Sequence, residues 1–176
     1  IYKLQECTTG EVTTFGIEDD NLEITDIYNV KDARFCEKGS MLKYDILYMS
    51  HLGKWRCDCC VVSRPKPRVS AQNISLRNDS SSFDLVIDGV SKKITIDMPG
   101  LYIVYDVLAA AATAYALDID IDLIVSSLNK VKAPNGRQET FLLNQKEIRI
   151  LLTKNPTGFN ETIKIIMPVS ESVKVN

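Results

Sequence analysis

The chain has 176 residues, 45% of them hydrophobic and 25% charged, and carries a formal net charge of −2. This length holds one ordinary domain, or the parts of two, with a real core, and the near-neutral charge excludes recruitment of nucleic acid or an anionic membrane by a global field. The opening IYKLQECTTGEV lacks a basic stretch followed by an apolar one, so no signal peptide is visible.

In chain order, Glu11–Ile17 reads as a short strand that ends at the acidic turn Glu18-Asp19-Asp20, and Leu22–Val30 reads as another. From Asp32 to Arg68 the character changes to a cysteine-bearing stretch that exits through Arg64-Pro65-Lys66-Pro67, whose prolines cannot continue a helix. Asn73–Leu76, Phe83–Ile87 and Lys93–Ile96 return to strand alternation, with Asp88-Gly89 a strong hairpin signal. Pro99-Gly100 stops this meander. Leu101–Leu117 follows, the most apolar window of the chain. It has 17 residues and carries Asp106, whereas a spanning helix needs about 20 apolar residues. It therefore reads as a buried core helix, and no transmembrane segment is expected. Ile121–Asn129 forms a second helix, apolar at Ile121, Ile124, Val125 and Leu128. Lys130–Gly136 is a linker punctuated by Pro and Gly. Glu139–Leu143 and Glu147–Leu152 read as paired strands, and a helix could start at Gly158 with no room to finish before Pro168. Strands mixed with buried helices indicate an α/β protein.

Cysteines stand at positions 7, 36, 57, 59 and 60. An odd number with three crowded together argues against a secreted disulfide framework and for metal binding in a reducing compartment. Cys57 and Cys60 form a C-x-x-C pair, whose thiolates can face one ion from a tight knuckle, and Cys36 lies 21 residues upstream, the separation of two zinc-ribbon knuckles. The fourth ligand of a structural zinc is missing from that pattern. Cys59, between two ligands, is expected to point away, which makes His51 the more natural substitute. A metal-free ribbon held by packing is the alternative, and Cys7 reads as a core thiol. Lys54, Arg56, Arg64, Lys66 and Arg68 put positive charge nearby, but with Trp55 the one obvious stacking ring they read as a solvated face and not as a nucleic-acid site.

Taken together, FGIEDD (Phe15–Asp20), the Cys36–Pro65 ribbon, GLY at 100–102 ahead of LAAAATA at 108–114, GRQETF at 136–141 and TKNPTGFNE at 153–161 resemble the MurT-type members of the Mur ligase family over nearly the whole chain. The resemblance implies part of a Mur-ligase-type central domain with an inserted zinc-ribbon-like segment, followed by the start of a Rossmann-like C-terminal domain. The corresponding divisions are residues 1–31 for a central ATPase-domain segment, 32–70 for the ribbon, 71–135 for the remainder of the central domain and 136–176 for the start of the next. It further implies a cytoplasmic, ATP- and Mg²⁺-dependent ligase subunit. Such a subunit activates the α-carboxyl of D-glutamate in lipid II and forms D-isoglutamine with ammonia from a GatD-like glutaminase partner.

By the same resemblance Arg137 of G-R-x-E, together with Lys154 and Asn155 of K-N-P, would face the nucleotide, and Asn160 matches an asparagine of the latter loop. Two family asparagines that help hold adenine are replaced here by Ile103 and Asp106, neither of which offers an amide; Asp106 is the remaining nucleotide-binding candidate at that place. Residues 1–176 contain no G-x-x-x-x-G-K-[ST] phosphate loop. No residue is therefore assigned a catalytic role, and the chain alone is expected to be inactive, either as a fragment of a complete enzyme or as a diverged copy. The competing function is a non-catalytic zinc-ribbon and α/β interaction module.

Overall fold

The structure is a computed structural model, described here for residues 7–22, 35–133 and 138–166. The expected strand at Leu22–Val30 falls almost wholly outside those residues, as do the end of the linker at Pro134–Gly136 and the tail beyond Ile166.

A mixed sheet forms the body. Its strands are β1 (Phe15–Ile17), β5 (Val69–Leu76), β6 (Ser81–Ile87) and β7 (Val90–Ile96), adjacent in that order. β1 runs parallel to β5, with Phe15 opposite Val69, and β5, β6 and β7 form an antiparallel meander. Parallel neighbours require a long crossover, and residues 18–68 supply it. That crossover carries a separate three-stranded sheet: β2 (Lys43–Met49), β3 (Leu52–Cys57) and β4 (Val62–Ser63). The β2–β3 hairpin was not evident as strands in the sequence, because its two-residue turn is Ser50-His51. Ser50 takes the positive φ of 53° that Asn or Gly would ordinarily advertise.

Helices α1 (Leu101–Ala116) and α2 (Ile121–Leu128) cover the sheet, α1 over β1, β5 and β6, and α2 over β7. Val104, Leu108 and Ala111 of α1 are wholly buried against Ile17, Val69, Phe83 and Leu85, so the apolar stripe of the helix meets the inward face of the strands. The helix begins at Gly100 for a steric reason. Its φ is 111°, and a Cβ there would come within 2.6 Å of the Tyr102 ring. α1 ends in a Schellman arrangement, with Ile119 N–H donating to Ala114 and Asp118 N–H to Tyr115, and Asp118 in the left-handed region. Asp120 then caps α2 by accepting from the amides of Asp122 and Leu123.

The remaining described residues form the hairpin β8 (Gln138–Leu143) and β9 (Lys146–Leu151), followed by α3 (Pro156–Ile166). Gln138 donates to the Tyr102 hydroxyl, and Ile165 lies beside Gly100, so this unit rests against the N-terminal end of α1. The helix starts two residues before the expected Gly158. Asn155 accepts from Gly158 N–H at 2.7 Å, and Pro156 takes the first helical position, where a missing N–H costs nothing.

The acidic turn after β1 is a latch and not a solvated loop. Asp19 is buried, and its carboxylate accepts from Asn21 N–H at 3.0 Å and from Ile74 N–H at 2.6 Å, closing the irregularity in β5 where Asn73 adopts a φ of 50°. Glu18 pairs with Lys54 at 3.3 Å and with Arg64, which ties the end of β1 to the inserted sheet.

Candidate functional site

Two features meet where the inserted sheet faces α1. The first is a cluster of thiols. The sulfurs of Cys36, Cys59 and Cys60 lie within 4.8 Å of one another, and the buried Cys57 stands outside that group but near enough to perturb the Cys36 and Cys60 thiols. Four cysteines from two chain segments therefore converge. Cys36 is held by a tight turn in which its N–H donates to Ser40 and the Gly39 N–H donates back to the Cys36 carbonyl. The second knuckle, Cys57–Cys60, is followed by Val61, which adopts a φ of 54° in a region a β-branched residue rarely enters. The turn brings Cys59 into the cluster, contrary to the expectation that it points away.

His51 is elsewhere. It forms the turn of the β2–β3 hairpin, while Cys57 ends β3 at the other extremity, and the His51 ring lies beside the Ser50 hydroxyl at 3.5 Å. A strand separates its ends by about 3.3 Å per residue, so the hairpin itself keeps His51 from the thiols. Cys7 is exposed and not a core thiol.

The electrostatics of the cluster suit a cation. Burial pushes the Cys36 thiol up, but hydrogen bonds from Cys60, from the Ser40 and Lys38 main chain and from Cys57 outweigh it and bring it down to about 7. Cys60 is pushed up to about 11, first by its hydrogen bond to Cys36 and then by burial and Cys57. One thiol of the group thus gives up its proton readily while a neighbour donates to it, the arrangement that a bound metal ion replaces.

The second feature is a cavity of about 970 Å³. The inserted sheet lines one side of it through Tyr44, His51 and Trp55, and α1 lines the other through Tyr105, Asp106 and Ala109. Tyr44 and Trp55 are cross-strand partners, so register places both rings on one face of the hairpin. The Tyr44 hydroxyl donates to the His51 carbonyl at 3.2 Å, which fixes the turn. On the helix, positions 105 and 109 share a face, with 106 beside them. Arg64 also reaches the cavity, but it is only 18% exposed and paired with Glu18, and burial holds its guanidinium below the ordinary arginine range. Tyr105 is pushed up by burial, so its hydroxyl is neutral.

Among the residues expected at the nucleotide, Asp106 lines this cavity. Lys154 and Asn155 sit at the start of α3 and do not line it, and Asn155 is engaged as the cap of that helix. Arg137 lies outside the described residues. Ile103, at the other substituted asparagine position, is 8% exposed and belongs to the core. Sequence reasoning missed Cys59, Tyr44 and Tyr105. A regular hairpin centred on Ser50-His51 would have set Tyr44 opposite Cys57, and the two register shifts in β2 that bring it opposite Trp55 leave no signal in the sequence.

No family model matches the chain. The subunit MurT of lipid II isoglutaminyl synthase (glutamine-hydrolyzing) from Streptococcus pneumoniae is 36% identical over 154 residues, covering 85% of this chain and 34% of that protein. The UDP-N-acetylmuramoyl-L-alanyl-D-glutamate--2,6-diaminopimelate ligase of Lactiplantibacillus plantarum is 38% identical over 74 residues, covering 42% of this chain and 15% of that protein. Among solved structures, a pseudomurein peptide ligase type C from Methanothermus fervidus superposes with a TM-score of 0.76 at 32% identity, covering 92% of this chain and 32% of that one. The chain spans about a third of the length of the MurT relative and of the pseudomurein ligase. A mixed α/β body, a cysteine ribbon on the β1–β5 crossover and this likeness in both sequence and structure show that the chain belongs to the Mur ligase family, as a MurT-like portion of it.

Proposed function

We propose that this chain is part of an ATP-dependent ligase that converts the D-glutamate of lipid II to D-isoglutamine in peptidoglycan synthesis, working in the cytoplasm with ammonia from a glutaminase subunit. The observation that carries the reading is the 36% identity to the pneumococcal MurT over 85% of the chain. In that chemistry a carboxylate oxygen attacks the γ-phosphorus of ATP, ADP leaves, and ammonia then displaces phosphate from the acyl phosphate, forming the amide and releasing a proton. Such a reaction needs cationic groups and Mg²⁺ to hold phosphate charge. Arg137, Lys154 and Asn155 are the proposed nucleotide-facing residues, with Asp106 at the base. The described residues contain no carboxylate cluster of metal-ligand spacing, so no step is assigned to a magnesium site of this chain.

The thiol cluster fits a structural zinc. A tetrahedral ion with Zn–S bonds of about 2.3 Å places its sulfurs about 3.8 Å apart, within the 4.8 Å limit that Cys36, Cys59 and Cys60 already satisfy. Cys36, Cys57 and Cys60 are the proposed ligands, with Cys59 taking the fourth place that the sequence left to His51.

The test uses the full-length polypeptide together with its glutaminase partner. Amidation of lipid II, read by mass spectrometry of the stem peptide, is expected to require ATP and to fall at least tenfold in Arg137→Ala, about 1.4 kcal/mol of transition-state stabilisation. ATP-independent or absent amidation by the wild type would refute the ligase reading, and an unchanged rate in the variant would refute the role of Arg137. Elemental analysis is expected to find about one zinc per chain, and a content near zero would refute the metal assignment.

A further inference from the structure

The thiols of the ribbon differ in their access to solvent. Cys36 and Cys57 are buried, Cys60 is half-buried and Cys59 is exposed, and all four are free. Cys59 therefore combines two properties. Its sulfur lies within 4.8 Å of those of Cys36 and Cys60, and it is the member of the cluster that an external reagent meets first. Access and thiol neighbours together decide where thiol–disulfide exchange begins and how it ends. Cys7 is also exposed but lies outside the cluster.

Chain geometry selects the second thiol. Cys59 and Cys60 are adjacent, so their Cα atoms are about 3.8 Å apart, short of the ~4.4–6.8 Å that an unstrained disulfide spans. Cys57 stands outside the group of close sulfurs. Cys36 comes from the other knuckle, is free of the adjacency constraint and already holds its sulfur near Cys59. A bridge from Cys36 to Cys59 would enclose β2 and β3, both of which lie between them in the chain. It would fasten the same end of the hairpin that a metal ion at these thiols fastens.

We propose that Cys59 is a modification site for low-molecular-weight disulfides and that Cys36 resolves the adduct, giving a reversible Cys36–Cys59 bridge. The Cys59 thiolate attacks one sulfur of the reagent RSSR, whose S–S bond breaks, and RS⁻ leaves and takes up a proton. The Cys36 thiolate then attacks the Cys59 sulfur, and the second RS⁻ leaves in the same way. Two protein thiols thus lose two electrons and two protons, and the reagent gains them as two RSH. Transient disulfides of this kind serve redox sensing in reducing compartments. A metal ion at the same sulfurs competes with the reagent, because a coordinated thiolate has its electron pair engaged. The exchange rests on the thiol geometry alone and needs neither the ligase reading nor the zinc assignment.

Bis(2-hydroxyethyl) disulfide is the probe, applied to the reduced full-length polypeptide carrying Cys7→Ser, with products mapped by non-reducing peptide mass spectrometry. Metal-free protein is expected to give the Cys36–Cys59 disulfide as its first internal bridge, and a thiol reductant to reverse it. Cys36→Ser should trap the intermediate as a hydroxyethylthio adduct on Cys59. Since loss of Cys36 could also loosen the ribbon, Cys59→Ser is measured too, on protein with native circular dichroism. Internal bridging there should be at least tenfold slower. Hydrogen exchange in β2 and β3 of metal-free protein should slow when the bridge forms. Zinc-loaded protein should react at least tenfold more slowly and release its zinc as the bridge forms. A first adduct on Cys60, a Cys57–Cys60 bridge as the first product, or undiminished bridging in Cys59→Ser would each overturn the proposal. Equal rates with and without bound zinc would overturn the competition. Protein that binds no zinc but forms the Cys36–Cys59 bridge would sink the metal assignment and uphold the exchange.

Discussion

The α/β body and the inserted ribbon solve the same problem with different means. In the body, Ile17, Val69, Phe83, Ile87, Ile94, Val104 and Leu108 are essentially inaccessible to solvent, so burial of apolar surface supplies the cohesion. The ribbon buries few side chains of its own. Leu47 and Tyr48 lie near the hairpin turn, where Tyr48 joins the body's core, and Cys36 and Cys57 lie at the opposite end. Its ion pairs, Lys43–Asp58 and Arg56–Asp45, are half-exposed or more and contribute little. A three-stranded sheet of this size cannot bury enough to be stable alone. It is pinned at one end by contact with the core and at the other by thiols. The contrast teaches that the thiol cluster serves placement: it holds the far end of β3, and with it one wall of the cavity.

The contrast can be broken experimentally. The largest effect is expected in the body, where Phe83→Ala should cost about 3–5 kcal/mol in urea unfolding, in metal-loaded and chelated protein alike. A cost that vanished on chelation would show the two regions to be one cooperative unit. Cys60→Ser comes next. It should abolish tight zinc binding and strip hydrogen-exchange protection from β2–β4, while β5–β7 keep theirs. Uniform loss of protection would contradict the separation.

A gain is expected at Val61. Its left-handed conformation costs about 1–2 kcal/mol relative to the usual regions, and glycine returns part of that in unfolded-state entropy, about 0.4–1 kcal/mol. Val61→Gly should therefore stabilise the ribbon by about 0.5–1 kcal/mol, read as slower exchange in β3 and β4. Destabilisation would mean the knuckle is not strained.

The smallest effect belongs to Asp88 in the body's hairpin turn. Arg68 and then Tyr115 donate hydrogen bonds to its carboxylate and hold it below the usual carboxylate range. A depressed acid adds stability that is fully present above the unfolded pKa of about 3.9 and is lost as pH falls through the folded value. Thermal melts of Asp88→Asn should lie slightly below wild type at neutral pH and converge with it in acid. A constant difference across that range would remove the carboxylate's charge from the explanation.

Much of the body was legible because its signals are local. Asp88-Gly89 announces a hairpin, and the structure places both residues at positive φ between β6 and β7. The apolar run from Leu101 announces α1 to within a residue of its end. The helix α3 starts two residues before the expected Gly158 because Asn155 and Pro156 act as its cap and first-turn pair. In the ribbon, the C-x-x-C and the distant Cys36 pointed to a thiol site, but the membership of Cys59 was not legible. Spacing alone assumes a regular knuckle, and Val61 in the left-handed region departs from one.

The sequence by itself determined which segments become strands and helices in the body and that cysteines would gather in the crossover. Periodicity, caps and turn residues act over a few positions, where the chain's own stiffness decides. Only the tertiary structure decided which thiols meet, that His51 stays apart from them, and that Tyr44 and Trp55 face Tyr105 and Asp106 across a cavity. Those placements depend on hairpin register and on how a crossover folds back over a helix. Both are fixed by packing between residues far apart in the chain, which no local pattern encodes.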